Sequence, residues 1–349
     1  MTPVPLPYLT ADLPGSGGTL REKPDDFRVE EVPAYLPSGV GPHLYLRVEK
    51  RGRTTRDVLR ALSQELGVPE RDAGYAGLKD RDAVTTQWLS FPAPHDPDPA
   101  ALAGPGLKVL EVSRHGNKLR PGHVRANRFE VTVRGGDLGR ARVSAAALKE
   151  RGFPTFFGPQ RFGADGRNAA TGAALLRGHR TPEVGRAARD RFLRRLFISA
   201  LQAELFNRWL AERIADGLFA SVLAGDVLKK LDTGGLFTCR DPSVDGPRVT
   251  RFEVSPAGPM FGHKLRPAEG EALRREERIL EGAGIGPADL ARGGGEAEGT
   301  RRAARLAIDI ALEAEGDGYR AVFELPKGCY ATVAMRELMK NEGSLPEEE

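Results

Sequence analysis

The sequence contains few of the residues that build metal centres. Its 349 residues include only two cysteines and six histidines. Cys239 and Cys329 lie far apart in the chain, and neither a CxxC pair nor an HExxH helix is present. A zinc site needs several such ligands at close spacing. We therefore expect no metal site, and we expect both cysteines to be small buried hydrophobic side chains.

Long apolar runs are also missing. No stretch approaches the length of a transmembrane helix, and the N-terminal MTPVPLPYLTADLPGSGG lacks the basic-then-apolar pattern of a signal peptide. The glycine-rich stretches at residues 15–18 and 293–295 lack the ending of a P-loop and the strand–GxGxxG–helix context of a dinucleotide site. We expect a cytoplasmic protein that uses neither a nucleotide nor any other cofactor.

Positive charge is concentrated locally, although the net charge is only +4. Residues 114–134 contain six Lys or Arg against one acid, and residues 177–195 contain seven Arg against two acids. The tail at residues 345–349 is acidic instead. Basic segments on a nearly balanced chain favour a polyanion-binding face. The alternative is that they are solvated faces of arginine-rich elements.

Apolar periodicity predicts strands at both ends of the chain and helices in the middle. Strands are predicted at residues 27–32, 44–48, 83–91, 107–112, 129–133 and 320–325, with a proline-rich loop at 92–105. Helices are predicted at residues 54–66, 138–149, 196–214, 269–281 and 335–339. The helix at 54–66 begins with a capping-box pattern, Thr54 to Asp57, and carries an apolar stripe. This order predicts a discontinuous α/β (α+β) domain, residues 1–153 and 301–349, interrupted by a largely helical insertion, residues 154–300.

Two segments carry candidate functional residues. In Gly77-Leu-Lys-Asp80-Arg, a glycine turn lies between two strand-like segments and exposes an acid that Lys79 and Arg81 help to keep ionised. An ionised aspartate can act as a nucleophile or stabilise positive charge. By spacing alone, an aspartate that caps its own turn is the commoner outcome.

The second segment, residues 117–129, alternates basic groups with Asn, His and Phe, and residues 152–168 repeat that composition. Arginine and lysine bind phosphates, asparagine reads base edges, and phenylalanine stacks on unpaired bases. Most of these phenylalanines can equally be core residues. The predicted RNA-binding residues are Lys79, Lys118, Arg120, Arg125, Arg128, Arg161 and Arg167.

Five stretches, in order, resemble the motifs of the TruD family of tRNA pseudouridine synthases. They are KPDDFRVE (23–30), AGLKDRDAVTTQ (76–87), NKLRPGHVRANRF (117–129), FGPQRFG (157–163) and LPKGCYAT (325–332) followed by REL (336–338). The resemblance implies a split catalytic domain with a mainly antiparallel mixed sheet and a family-specific insertion. It also implies the isomerisation of a uridine to pseudouridine in the D-arm region of tRNA, at tRNA position 13 in bacterial members.

The resemblance also implies roles for single residues. Asp80 is matched to the catalytic carboxylate and Lys23 to the cation that pairs with it. Phe129 is matched to the aromatic that stacks on the target base, and Asn127 and Gln87 to supporting residues of the active site. We expect a monomer that acts on tRNA. The alternatives are an RNA-binding protein without catalysis and a methyltransferase, and the latter requires a glycine-rich cofactor unit that the sequence lacks.

Overall fold

The computed structural model describes residues 5–93 and 95–341, which form fifteen strands and nine α-helices. The strands are β1 (Thr19–Leu20), β2 (Phe27–Pro33), β3 (His43–Arg51), β4 (Gly74–Tyr75), β5 (Val84–Phe91), β6 (Leu107–His115), β7 (Val124–Arg134), β8 (Phe153–Pro154), β9 (Val227–Lys230), β10 (Leu236–Thr238), β11 (Val254–Met260), β12 (Thr300–Ala303), β13 (Arg305–Leu306), β14 (Ala311–Glu315) and β15 (Gly318–Pro326). The helices are α1 (Thr55–Glu65), α2 (Leu138–Arg151), α3 (Asn168–Arg177), α4 (Pro182–Ala187), α5 (Arg191–Ala215), α6 (Pro242–Thr250), α7 (Gly270–Ala283), α8 (Pro287–Arg292) and α9 (Ala331–Met339).

A nine-stranded sheet forms the centre of the molecule. Its main path runs β14-β15-β7-β2-β5-β3-β6, with β1 beside β7 and β4 beside β5. Only β2 and β5 pair in parallel, and the other pairs of this sheet are antiparallel. The mixed, mainly antiparallel sheet implied by the resemblance is therefore confirmed.

Side-chain alternation explains why these segments form strands. Phe27 and Val29 of β2 are buried on the same face as Phe129 of β7, whereas Arg28 and Arg128 are exposed on the opposite face. The apolar face packs in the main hydrophobic core, and the charged face meets solvent. All six predicted strands are confirmed with ends that shift by at most about three residues, except that β7 begins five residues earlier.

Helix α1 forms as its sequence predicts. Thr54 accepts a hydrogen bond from the Asp57 N–H, and the Asp57 carboxylate accepts one from the Thr54 N–H at 2.9 Å, which confirms the capping box. The apolar stripe of the helix, including Leu59 and Leu62, packs on the buried face of β3. The predicted loop at 92–105 is also confirmed apart from Pro94, which lies outside the described residues.

The middle of the chain is less uniformly helical than predicted. Alongside α3 to α8, strands β9 to β12 form a separate four-stranded sheet in the order β10-β9-β11-β12. The predicted boundary between residues 300 and 301 falls inside β12, which pairs with β11. The segments were missed because β9 and β10 are short and because Pro256, Gly258 and Pro259 interrupt the pattern of β11. The domain limits themselves stay a prediction.

The two ends of the chain meet beside the central sheet. In α9, the buried Glu337 carboxylate accepts hydrogen bonds from the Thr10 hydroxyl at 2.8 Å and from the Leu9 N–H at 2.9 Å. None of the helices in residues 5–93 and 95–341 combines the length and apolarity needed to cross a membrane. The acidic tail at residues 345–349 lies outside the described residues.

Candidate active site

A cleft of about 240 Å³ opens at one end of the buried face of the sheet. Its lining comes from β2, β7, the loop before β5, the turn at 159–162 and the start of α9. The lining residues are Phe27, Val29, Leu78, Lys79, Asp80, Asn127, Phe129, Gln160, Cys329, Tyr330, Ala331 and Thr332. The cleft therefore collects residues from all five sequence motifs.

Buried hydrogen bonds fix the loop that carries Asp80. The Gln87 amide donates to the Gly77 carbonyl at 3.1 Å and accepts from the Thr55 hydroxyl at 2.9 Å. The Thr55 oxygen in turn accepts from the Lys79 N–H at 2.9 Å. Gln87 and Thr55 are each only 1% exposed. Gln87 therefore supports the loop from below and does not line the cleft.

Asp80 is presented to solvent, as the turn pattern predicts. Its side chain is 44% exposed, and its Oδ2 lies 3.8 Å from Nη2 of Arg21. The Arg21 side chain is only 5% exposed, and its guanidinium carbon lies 4.0 Å from the centre of the Phe27 ring. A cation over an aromatic face is stabilised by the ring quadrupole. The carboxylate thus faces a cation that is held in a fixed position.

Arg21 takes the position that the sequence analysis gave to Lys23. Among the described residues no ion pair joins Lys23 to Asp80, because Lys23 begins the tight turn at Pro24–Asp26 and its side chain is exposed. The Lys23 N–H donates to the buried Asp26 carboxylate at 2.9 Å. Hydrogen bonds from Arg134 lower the pKa of Asp26, so this carboxylate anchors the turn as an anion.

Phe129 and Asn127 form the floor of the cleft on β7. The Phe129 ring stacks on Phe323 of β15 at 5.5 Å between centroids and meets Phe27 edge-on at 6.2 Å. These contacts fix the ring, since Phe129 is only 7% exposed. The Oδ1 atom of Asn127 is buried and has no hydrogen-bond partner among the described residues. A buried polar atom without a partner is costly unless a ligand satisfies it.

Lys79 lies at the cleft but is not available as an open phosphate contact. Its ammonium group pairs with the Glu31 carboxylate at 3.0 Å, and the two side chains are 7% and 0% exposed. Glu31 also accepts a hydrogen bond from the Trp88 N–H. The expectation that Lys79 binds RNA, and that it flanks Asp80 as a counter-ion, conflicts with this buried pair. Lys79 instead joins the loop to β2.

A second buried lysine lies beneath the loop. Lys50, at the end of β3, is 1% exposed and donates to the carbonyls of Arg53 and Asp80. Burial lowers the pKa of Lys50 to about 8, although the negative charge of Asp80 acts in the opposite direction. Sequence patterning missed this residue because Lys50 continues the buried face of β3 at a position where an apolar side chain is expected.

The other predicted RNA-binding residues are scattered. Arg120 is exposed in a turn that lies next to the Asp80 loop, because the Gly122 N–H of this turn donates to the Ala76 carbonyl at 2.8 Å. Lys118 donates to the Arg71 carbonyl, Arg125 pairs loosely with Glu324, and Arg167 is exposed beside Asp165. Arg128 faces away from the cleft, on the opposite side of the sheet from Phe129.

The cleft also contains residues to which sequence reasoning gave no role. Cys329, Tyr330 and Thr332 enter from the start of α9, and Gln160 enters from the turn before α3. Cys329 is half-buried, whereas Cys239 is fully buried as predicted. The helix start brings the positive end of the α9 dipole to the cleft. Across residues 5–93 and 95–341, no group of three or more His, Cys, Asp or Glu side chains is arranged to hold a metal ion.

Comparison with known proteins gives a consistent result. The family model of tRNA pseudouridine synthase D (TruD) matches residues 4–186 and 186–338. A tRNA pseudouridine synthase D of Anaeromyxobacter dehalogenans (strain 2CP-C) is 76% identical over 344 residues, which cover 99% of each chain. A tRNA pseudouridine synthase D of Thermus thermophilus is 43% identical over 348 residues, which cover 97% of this chain and 94% of the relative.

The fold agrees as well. A crystal structure of a Methanosarcina mazei protein assigned to tRNA pseudouridine synthase D superposes with a TM-score of 0.75 at 23% identity and covers 96% of both chains. At this identity the likeness concerns the fold alone. The family model and the full-length relatives carry the assignment: this chain belongs to the tRNA pseudouridine synthase D family, whose members isomerise uridine to pseudouridine in tRNA.

Proposed function

We propose that this chain isomerises a uridine of tRNA at the cleft beside Asp80, that Asp80 is the catalytic carboxylate, and that the target is position 13 in the D-arm region. The observation that supports this assignment is the pairing of a half-exposed carboxylate with the buried Arg21 cation above a floor of Phe129 and Asn127. The expectation of a monomer in the cytoplasm remains a prediction alongside it.

The floor of the cleft suits a single pyrimidine base. The target base must leave its stack before its glycosidic bond can be reached, which costs a few kcal/mol. Stacking against Phe129 offsets part of that cost. The Asn127 amide matches the base edge, because its unpartnered Oδ1 can accept the uracil N3–H while its Nδ2 donates to a uracil carbonyl.

Asp80 then assists the breaking of the C1′–N1 bond. It either attacks C1′ of the sugar or enables elimination to a glycal-like intermediate. The freed uracil turns within the cleft and bonds to C1′ through C5. In the first route C5 displaces the Asp80 oxygen from C1′, and in the second C2′ regains the proton that it lost. Loss of the C5 proton and protonation of N1 give pseudouridine. Arg21 stabilises the carboxylate whenever it is anionic, because its guanidinium is held by Phe27 and by burial. Every atom of uridine is kept in the product apart from exchange of that proton with water, so the reaction consumes no second substrate.

A tritium-release assay tests the proposal. Purified protein is incubated with unmodified tRNA transcript labelled with tritium at uridine C5, and tritium released to water is measured. The matched variants are Asp80→Asn and Asp82→Asn, since Asp82 is an exposed acid in the same loop. We expect release by the wild type and Asp82→Asn but not by Asp80→Asn, and we expect mapping to place the product at position 13.

Other outcomes have defined meanings. Release by Asp80→Asn would retain the activity and remove Asp80 as the catalytic carboxylate. Product at a different uridine would retain the chemistry and correct the target. Absence of release from the wild type, despite binding of several tRNAs, would favour the alternative of an RNA-binding protein without catalysis.

A further inference from the structure

A second, larger groove adjoins the Asp80 cleft and has no role in the reaction described above. It has a volume of about 830 Å³, against about 240 Å³ for the cleft. One wall is the first half of α5, which contributes Phe192, Arg195, Leu196 and Ser199 at helical spacing. The opposite wall is the segment at residues 295–300.

The groove and the cleft are neighbours along one short turn. Gln160 lines the cleft and Arg161, the next residue, lines the groove. Both lie in the turn at Pro159–Phe162, which precedes α3. A polynucleotide strand that places one base in the cleft at Gln160 therefore has the groove as its neighbour on the other side of this turn, at Arg161.

An exposed aromatic ring lies at the entrance of the groove. Phe192 is 65% exposed, although it lies in the first turn of a helix whose later aromatic residues are partly buried (Phe197) or buried (Phe206 and Trp209). A large apolar side chain left in water contributes little to folding. An open aromatic face among arginines is the arrangement that stacks on bases of unpaired RNA.

The arginines that line the groove outnumber its acids. Arg195 is exposed and has no ion pair among the described residues, and the Nε atom of Arg161 is buried without a hydrogen-bond partner there. Arg191, also on the groove, is 92% exposed and pairs only at 3.4 Å with Glu296, which Arg194 neutralises as well. The other acid, Glu298, pairs with Lys264 at 2.6 Å. Arg195 is thus free to contact a phosphate, and a phosphate can compete for Arg191, whose single acidic partner is shared with Arg194.

We propose that this groove is a second nucleotide-binding site, in which Phe192 stacks on an unpaired base of the tRNA near the target uridine while Arg161, Arg191 and Arg195 hold the adjoining phosphates. The inference rests on the proposed function for the identity of the RNA. It adds a contact outside the catalytic cleft, which acts on affinity for tRNA and not on the chemical step.

Equilibrium binding separates this site from the cleft. Phe192→Ala is compared with Val244→Ala, which truncates a residue that is 61% exposed on α6. Since one base–aromatic stack contributes about 1–3 kcal/mol, we expect Phe192→Ala to raise the Kd for unmodified tRNA about 5- to 150-fold. The single-turnover rate at saturating tRNA should stay at the wild-type value in both variants.

Two further measurements identify the contacts. Trp88 and Trp209 are buried, so Phe192→Trp adds an exposed fluorophore that stacking on a base should quench, while the same change at Val244 should not respond to tRNA. Arg195→Gln should reduce the slope of log K against log salt concentration by about 1. The matched control is Arg274→Gln, at an exposed arginine of α7 that pairs with Glu271.

The outcomes distinguish this inference from the proposed function. An unchanged Kd for Phe192→Ala together with an unquenched Phe192→Trp overturns the groove site and leaves tritium release untouched. A lower saturating rate with an unchanged Kd also overturns it, because the residue would then act on the chemistry. If the wild type releases no tritium, the binding measurements still decide whether the groove holds RNA, and Asp80→Asn should bind tRNA like the wild type.

Discussion

Nη2 of Arg21 lies 3.8 Å from Oδ2 of Asp80, although three strands and a helix separate the two residues in sequence. Arg21 reaches this position through a left-handed backbone conformation, with a φ of 59°. That conformation is unusual for a residue with a side chain and carries strain that other contacts must offset. Stacking on Phe27 holds the Arg21 guanidinium, and the ion pair of the buried Asp26 with the half-exposed Arg134 fixes the turn that follows.

We predict that Arg21, and not Lys23, supports the Asp80 carboxylate. Arg21→Met should lower the single-turnover rate on the order of 10²-fold, because the developing charges lose a fixed partner. Arg21→Lys should recover most of the rate, and Lys23→Met should match the wild type. The tritium-release assay at saturating tRNA measures all three. A large loss in Lys23→Met with a normal Arg21→Met would contradict the assignment.

Gln87 and Thr55 should act as positioning residues. Gln87→Leu and Thr55→Val remove hydrogen bonds that hold the loop at Gly77 and Lys79, so we expect the rate at saturating tRNA to fall while the Kd for tRNA stays unchanged. Unfolding should become easier by about 1–3 kcal/mol, since buried polar groups lose their partners.

Thr85→Val provides the control for this pair. Thr85 is a fully buried threonine of β5 whose hydroxyl has no partner among the described residues. Its replacement should leave both the rate and the stability close to wild type. An equal loss of rate in Thr85→Val would mean that any change in this core slows the reaction, and the specific role of Gln87 and Thr55 would be lost.

Activity should fall above pH 8 because Lys50 loses its charge. Burial brings the pKa of Lys50 down to about 8, so the cation is present below that pH and is neutralised as the pH rises through it. Asp57, Asp80 and Asp82 favour the charged form and Lys79 opposes it. A neutral amine donates weaker hydrogen bonds to the Asp80 carbonyl and no longer balances the carboxylate.

The pH dependence is measured as single-turnover rates across a range that brackets pH 8. The wild type should lose rate on the alkaline side, whereas Lys50→Met should be slower throughout and lack that step. If Lys50→Met retains the same alkaline step, another group causes it.

Lys79→Met should affect stability more than affinity for RNA. It leaves the fully buried Glu31 carboxylate without its cation, a change that typically costs 3–5 kcal/mol of the free energy of unfolding. Lys108→Met is the matched control, because Lys108 pairs with Glu49 at 3.8 Å on the surface and should cost about 0–1 kcal/mol. Chemical denaturation measures both variants. Normal stability with a weakened Kd for tRNA would restore the original expectation that Lys79 binds RNA.

Local structure was predictable where one physical pattern dominates. Period-two alternation located the strands of the central sheet, and the capping box located α1. Asp80 and Phe129 could be proposed as active-site residues because five ordered motifs resembled one family, and both line the cleft. The strand order was not predictable, because β15 and β7 lie in opposite halves of the chain. They nevertheless pair directly, with Phe323 opposite Phe129.

The errors at the cleft have a common physical cause. Lys79 and Asp80 are adjacent in sequence, yet hydrogen bonds from Thr55 and Gln87 fix the loop so that one side chain is buried against Glu31 and the other is exposed. Arg21 and Lys23 also have different surroundings. Arg21 has a positive φ and lies beside Asp80, whereas Lys23 begins a tight turn and is exposed. Which of two nearby side chains is buried and which is exposed depends on tertiary contacts. No local pattern of residues contains that information.

The split of the central sheet has a consequence during protein synthesis. Strand β7 receives β2 on one side and β15 on the other, and the cleft needs Tyr330 and Thr332 from the start of α9. While the ribosome is still translating the insertion, β7 has one unpaired edge and the cleft lacks a wall. A nascent chain therefore cannot assemble this cleft until Thr332 has emerged from the ribosome, so the site forms only after the whole insertion has been translated.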